Sequence, residues 1–250
     1  MAGVKDIRLA AIPSKEANAF VRSHHYSGKV VNNSQLHLGA FLGGRLHGVM
    51  SFGPSTDKRK MIGLVEGTGW NEFIELNRMA FDEALPRNSE SRSLSVAMRL
   101  LRKNAPHLKW VVSFADGCSC GDGTIYRASG FVLTQIKRNT SMLALPDGTK
   151  IHVLTLQSSP NAPRPELGGL SYNDLRKHAA GGGIMAEYMR RTGAVQAQGF
   201  MLRYVYFLDP SYRARLTVPE VPFSSIAQEG AGMYRGTPRG SIPSADVVQQ

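Results

Sequence analysis

Cysteine is scarce in this chain: two in 250 residues, Cys118 and Cys120. Two thiols build no disulfide framework, and a single intervening residue does not suit an ordinary structural bridge. The chain also lacks a long hydrophobic run. Its opening, MAGVKDIRLA, has no apolar signal core, and no stretch approaches the ~20 apolar residues that a membrane span needs. A secreted disulfide scaffold and a helical membrane protein are thereby excluded. The expectation is a soluble protein of the reducing cytoplasm with no membrane partner. Acidic residues are the third scarcity, with 19 Asp and Glu against 30 Lys and Arg, a net charge of +11. About +6 of it falls in residues 1–136 and about +5 after them, so no basic tail explains it. Such a surface favours polyanions, of which nucleic acid is the commonest. A basic protein with no nucleic-acid role is the alternative.

What is present is enough for a full core, since apolar residues make up 42% of the sequence. DIRLAAI, residues 6–12, alternates as a strand does. Pro13-Ser14 then opens a helix over SKEANAFVRSHH, with Ser14 as its expected cap. LHLGAFLGGRLHGVMSFGP holds two apolar runs broken by Gly43-Gly44, a hairpin signature. EFIELNRMAF, residues 72–81, reads as a strand. NSESRSLSVAMRLLRKN follows, a helix with Leu94, Ala97, Met98 and Leu101 on one face. KWVVSFA, residues 109–115, has the continuous apolar character of a buried strand. GDGTIYRASGF supplies a loop, a helical turn and a stop at Gly130, and FVLTQIKR is a strand.

This order predicts an α/β domain with a mixed sheet, closing near residue 137. Beyond it KIHVLTLQS is expected as a strand, residues 171–179 and 183–192 as helices, and FMLRYVYFLDP as the best strand of the second half. From about Gln228 to Gln250 the Gly/Ser/Pro content predicts disorder.

Several constellations carry chemistry. HHYSGKVVNNSQLH places His24, His25 and Tyr26 where a helix runs into a polar loop. An imidazole near a helix C-terminus with a packed tyrosine is the plain interpretation. Joined by a carboxylate, the same groups would make a metal site or a proton relay. Asn88, Ser89 and Ser91 stand at a helix start, where unpaired amides cradle anions, and Arg92 follows in the first turn. Simple capping by Asn or Ser is the alternative. Alternation puts Leu76 and Arg78 on one face of their strand, where an arginine must snorkel or find an anion; a half-exposed strand would house it as a surface residue. Asp116 ends the apolar strand, at the edge where ligands of open α/β sheets collect, although Asp-Gly also makes ordinary turns. Cys118 and Cys120 form a lone C-x-C, weak evidence for a soft metal.

HHYSGKVV, SQLHLGAF, LHGVMSFGP, ELNRMAF, NSESRS, VVSFADG and GTIYRASGF, in this order, resemble the Mom family. The resemblance covers about residues 8–137 and returns more loosely in LRYVYFLDP and PEVPFS. It implies an enzyme that places a carbamoylmethyl group on the exocyclic amine of adenine in double-stranded or locally opened phage DNA, hiding that DNA from host restriction. It also implies a GNAT-like fold in which two parallel strands, here ELNRMAF and KWVVSFA, splay to seat an acyl donor. Residues 1–137 would then be the catalytic core, 138–227 a part completing the sheet with a helical insertion, and 228–250 a disordered tail. His25, Tyr26 and Asp116 are implied as a catalytic or iron-binding set, and Arg78 and Ser91 as residues required for activity. The donor cradle would use Asn88, Ser89, Ser91 and Arg92. Lys29 and Arg127 would touch nucleic acid. A coenzyme A thioester and glycyl-tRNA both suit as donors. Two other functions stay open: a GNAT-type acetyltransferase for a protein or small amine, and a non-catalytic DNA-binding protein.

Overall fold

The computed structural model describes residues 3–179 and 181–239. Strand β1 (Arg8–Ala11) leads into helix α1 (Ser14–His24), then the hairpin β2 (Leu36–Leu42) and β3 (Arg45–Gly53). A short helix α2 (Lys58–Ile62) precedes β4 (Phe73–Phe81), helix α3 (Ser89–Asn104) and β5 (Trp110–Asp116). Helix α4 (Thr124–Ala128) and β6 (Val132–Arg138) follow. An insertion comes next, made of β7 (Met142–Ala144), β8 (Lys150–His152), α5 (Val153–Ser158), α6 (Gly183–Thr192) and β9 (Val195–Gln196). The chain then returns through β10 (Phe200–Phe207), α7 (Ser225–Gln228) and a hairpin of β11 (Met233–Tyr234) and β12 (Thr237–Pro238).

The main sheet has the order β1-β2-β3-β4-β5-β10-β6. Only β4 and β5 run parallel, and among the described residues their pairing covers just Phe73–Glu75 against Trp110–Val112. Both strands continue well past that point, so the sheet is split in its middle, as a GNAT-like fold requires. β10 lies antiparallel between β5 and β6 and pairs with both. The core therefore cannot close at residue 137: without β10, β6 has no neighbour in this sheet.

Layering follows from periodicity. On α3, Ser93, Leu94, Ala97, Met98 and Leu101 are buried at helical spacing. Leu94, Ala97, Met98 and Leu101 pack on one face of the sheet against Met50, Phe52, Leu76, Val111, Leu133 and Leu202. Ala17 and Val21 of α1 pack on the other face with Val49 and Ala80. Each such large apolar side chain contributes roughly 1.5–3 kcal/mol on burial, so the sandwich holds without any disulfide. The insertion has its own small core of Leu143, Leu156, Leu167, Tyr172, Leu175 and Tyr188.

Four expectations are corrected. Ser14 begins α1 but does not cap it; Pro13 precedes the helix and no side chain bonds its first turn. KIHVLTLQS is strand only to His152, whose Nδ1 accepts the Leu154 N–H at 3.1 Å and starts a helix instead. Residues 171–179 form just a 3-10 turn at Asp174–Lys177, because Asp174 Oδ2 accepts both the N–H and the O–H of Ser171 and closes a local turn. The segment after Gln228 is ordered through Arg239, and residues 240–250 lie outside the described residues.

Candidate active site

Helix α1 ends where His25 donates its backbone N–H to the Val21 carbonyl at 2.9 Å. The chain then reverses in a turn closed by Gly28 N–H to His25 O at 2.8 Å, with Gly28 at φ +58°. A side chain is disfavoured at that angle, which accounts for glycine here. His25 Nδ1 accepts the Ser27 N–H at 3.2 Å and meets Ser27 Oγ at 2.8 Å. A ring nitrogen that accepts a backbone N–H carries no proton, so the neutral ring holds its proton on Nε2. Burial, and next the Arg78 cation, lower the pKa of His25 to about 4. The adjacent Tyr26 ring lies 4.2 Å from the His25 ring, tilted by 33°.

Arg78 explains how this turn is held. Its Nε donates to the Lys29 carbonyl at 2.9 Å and its Nη1 to the Asn77 carbonyl at 2.7 Å. The strand alternation expected around it is broken. Leu76 pairs with Phe52 and Arg78 with Ser51, two consecutive residues of β3, so a bulge at Asn77 turns Leu76 and Arg78 to opposite faces. Leu76 joins the core under α3, and Arg78 is freed to reach the α1 turn.

Asp116 ends β5. Its Oδ1 accepts the Cys118 N–H at 3.1 Å and Asn139 Nδ2 at 3.0 Å, and its Oδ2 accepts Ser119 Oγ at 3.1 Å. Tyr26 lies close enough to Asp116 to feel its charge. Burial first, then the neighbouring Cys120 and Asp116, push the Tyr26 phenol above its usual range, so it stays protonated at neutral pH. The residue nevertheless keeps 56% of its surface open. Partly surrounded by protein yet more than half exposed, it suits a stacking platform.

Sequence reasoning missed three residues here. Tyr126 of α4 is buried; its hydroxyl bonds Ser113 Oγ at 2.9 Å, and Ser113 Oγ reaches Leu76 O at 3.3 Å across the split between β4 and β5. Glu75, the last β4 residue paired with β5 before the split, has its pKa raised by burial. His152 sits where the Asp116 charge acts on it. The block GTIYRASGF carried a signal for Tyr126; nothing local marked His152.

Ser91 lies elsewhere. A cavity of about 880 Å³ opens at the start of α3, lined by Arg87, Asn88, Ser91, Thr124 and Arg235 among others. Neither Asn88 nor any serine caps the helix, and Asn88 takes a left-handed φ of +69°. The first-turn amides are thus left uncapped by side chains, as an anion cradle requires. Arg92 Nε is buried without a partner among the described residues. Ser89 points away: its hydroxyl and its N–H both go to the Pro86 carbonyl. Arg127 is also committed elsewhere, to Asp122 Oδ1 at 2.9 Å and Thr124 Oγ1 at 2.8 Å. Lys29, exposed, reaches Thr155 Oγ1 of the insertion at 2.8 Å.

Of the residues implied as an iron set, His25, Tyr26 and Asp116, the first two would have to give up or move a proton to hold a metal. His25 feels Arg78 and carries its proton on Nε2, while the Tyr26 phenol is pushed toward its neutral form. Among the described residues no group of three His, Cys, Asp or Glu side chains is placed to hold a metal ion. Burial pushes the Cys118 thiol up to about 12 and raises that of Cys120, so neither is a ready thiolate.

The loop after Asp116 is closed from the C-terminal end. Arg239 Nε donates to Asp122 Oδ2 at 2.8 Å, and Gly236 N–H donates to Cys120 O at 2.6 Å. A Cβ on Gly236 would stand 2.6 Å from the Cys118 carbonyl, so only glycine lets the hairpin approach so closely.

A mixed sheet split at its parallel pair β4–β5, the only one among the described residues, with an uncapped helix start after β4, defines an α/β protein of GNAT-like fold. Within that class the chain belongs to the Mom protein family, whose model matches residues 6–225. It is 33% identical over 216 residues to the methylcarbamoylase Mom of Escherichia phage Mu, spanning 86% of this chain and 80% of that protein. Solved structures of similar shape include a Bacillus subtilis acetyltransferase in complex with CoA, at TM-score 0.42 and 12% identity over 83% of this chain and 99% of that one. A GNAT family acetyltransferase from Elizabethkingia anophelis with acetyl-CoA bound matches at TM-score 0.40 and 15% identity, over 59% and 93%. At such scores these likenesses carry no weight, and the fold class rests on strand order. Among the described residues no helix is long and apolar enough to cross a membrane.

Proposed function

We propose that this protein converts adenine in DNA to its carbamoylmethyl derivative at the exocyclic amine. That it is an enzyme follows from its family, and the 33% identity to the phage Mu methylcarbamoylase, sustained across most of both chains, supports the substrate. The observation that supports the chemistry is the proximity of Tyr26 to Asp116, whose charge acts on the phenol.

The adenine amine is a weak nucleophile because its lone pair is delocalised into the ring, and it is paired inside the duplex. The base must therefore leave the stack and be held by stacking and edge contacts. Tyr26, protonated and open on its face, stacks on it. Asp116 Oδ2, which accepts the Ser119 hydroxyl at 3.1 Å, takes the amine proton as the nitrogen attacks. Arg78 positions Tyr26 through the Lys29 carbonyl. The uncapped start of α3 suits the anionic part of a donor, with Asn88, Ser91 and Arg235 around it. Such a donor, a coenzyme A thioester or glycyl-tRNA, supplies an activated two-carbon unit when bound. The net charge of +11 gives a sequence-tolerant grip on phosphates. A substituted amine no longer presents the normal donor pattern of adenine in the major groove, which accounts for protection from restriction in the host cytoplasm.

The test is mass spectrometry of nucleosides from plasmid DNA of expressing cells. A deoxyadenosine heavier by one carbamoylmethyl group is expected. Unaltered DNA, with acetyl-CoA consumed on a protein or amine instead, would overturn the proposal in favour of an acetyltransferase.

A further inference from the structure

Lys150 and His152 project from the same face of β8, since strand side chains alternate with period two. Lys150 Nζ donates to the Cys118 carbonyl, which fixes that face toward the loop following Asp116. Just after the Tyr26 turn, Lys29 Nζ donates to Thr155 Oγ1 at 2.8 Å. His152 therefore stands between two contacts, one tying the insertion to the Asp116 loop and the other tying it to the Tyr26 turn. Asp116 and Lys29 are the charges that act on its ring.

The ring is also fixed in tautomer. Its Nδ1 accepts the Leu154 N–H at 3.1 Å, so in the neutral ring the proton resides on Nε2. Desolvation by burial, with Lys29 adding to it, lowers the ring's pKa against the opposing pull of Asp116, and the neutral form dominates near pH 7. Capping alone does not explain histidine here, because Ser, Asp or Asn would cap α5 better. What histidine adds is one N–H donor, held rigidly by the backbone and directed from the insertion.

We infer that His152 is a further substrate-contacting residue, whose Nε2–H donates a hydrogen bond to the substrate seated between Tyr26 and Asp116. The insertion is then part of the active site and not a peripheral decoration. This inference rests on the proposed function and assigns it a residue contributed by the second half of the chain.

Two isosteric substitutions separate the ring nitrogens. In His152→Asn the amide takes the place of Nδ1 and keeps the cap but loses the distal donor. In His152→Gln the amide N–H reaches the place of Nε2 but no longer caps. Modified deoxyadenosine in plasmid DNA and the melting temperature are measured for wild type and both variants. The expected result is a loss of roughly 10²-fold for His152→Asn with an unchanged melt, as for removal of one preorganised donor. His152→Gln should stay within about tenfold of wild type despite a lower melt. Wild-type activity in His152→Asn overturns the inference, as does a His152→Gln variant no more active than His152→Asn. A wild type that makes no modified base removes the proposed function, and this inference with it.

Discussion

Arg78 donates its Nε–H to the carbonyl of Lys29 at 2.9 Å, a bond that spans 49 residues of sequence and fixes the turn carrying His25 and Tyr26. The bulge at Asn77 makes it possible by turning Arg78 away from the α3 core. Its guanidinium is thus a positioning group, and its cation also keeps the His25 ring neutral. Arg78→Ala should lower adenine modification by roughly 10²-fold, the scale of an ångström-sized misplacement at a site. It should also raise the His25 pKa, though only in part, since burial is the larger cause. Proton NMR titration of the His25 ring measures the second effect, and an unmoved midpoint would contradict it.

His25 itself predicts a pH dependence. Its folded pKa is about 4 against an ordinary 6.5. Between those values the unfolded chain binds a proton that the folded chain refuses. The stability conferred by the neutral ring is therefore complete above pH 6.5 and is lost as pH falls toward 4. Urea midpoints measured through that window should fall more steeply for wild type than for His25→Asn, which keeps an acceptor for the Ser27 N–H. Parallel curves would show that the ring makes no such contribution.

Asp116 offers a cleaner separation of fold from chemistry. Its carboxylate accepts from Cys118 N–H, Asn139 and Ser119. In Asp116→Asn the amide oxygen can replace Oδ1, and Ser119 can turn its hydroxyl to accept from the new NH₂. The melt should change little, while modified deoxyadenosine falls by roughly 10²–10⁴-fold with loss of the proton acceptor. DNA binding in a gel-shift assay should persist. Full activity in this variant would remove Asp116 from the mechanism.

Much of the fold was legible in the sequence, because apolar spacing reports directly on which face is buried. The α3 positions Leu94, Ala97, Met98 and Leu101 are buried as their spacing predicts. Gly43-Gly44 does close the β2–β3 hairpin. Failures came where one side chain overrules periodicity. A bulge at Asn77 reversed the side of Arg78, and the Nδ1 of His152 turned a strand into a helix. The site was legible only in pieces. HHY and ADG mark their residues, but the proximity of Tyr26 to Asp116 depends on strand order. His152 reaches the cleft through pairings of β8 and through Lys150 and Thr155, long-range contacts that no local pattern encodes.

The donor is open to an atom count. A glycyl group and a carbamoylmethyl group contain the same atoms, so glycine activated as an ester could acylate the amine and then rearrange without any second nitrogen source. A coenzyme A ester needs one. Cells expressing the protein and fed glycine labelled with ¹⁵N and ¹³C should therefore yield modified deoxyadenosine carrying both labels. Product free of label would dismiss the activated-glycine route.

The C-terminal hairpin predicts a structural dependence of the catalytic loop. Asp122 is almost fully buried, and its carboxylate is shared by Arg127 and Arg239. Gly236 and Met233 add backbone bonds to Cys120 and Asp122. Truncation after Gln228 removes all of these except Arg127 and leaves a buried carboxylate half-paired, a loss of roughly 1–3 kcal/mol. Hydrogen exchange should accelerate over residues 116–123, and modification should fall, while α3 keeps its protection. The point substitution Arg239→Ala should give a smaller effect of the same kind, since the backbone bonds of the hairpin survive it. A truncated protein with unchanged exchange at the Asp116 loop would mean that β5 and Asn139 hold that loop without help from the C-terminal hairpin.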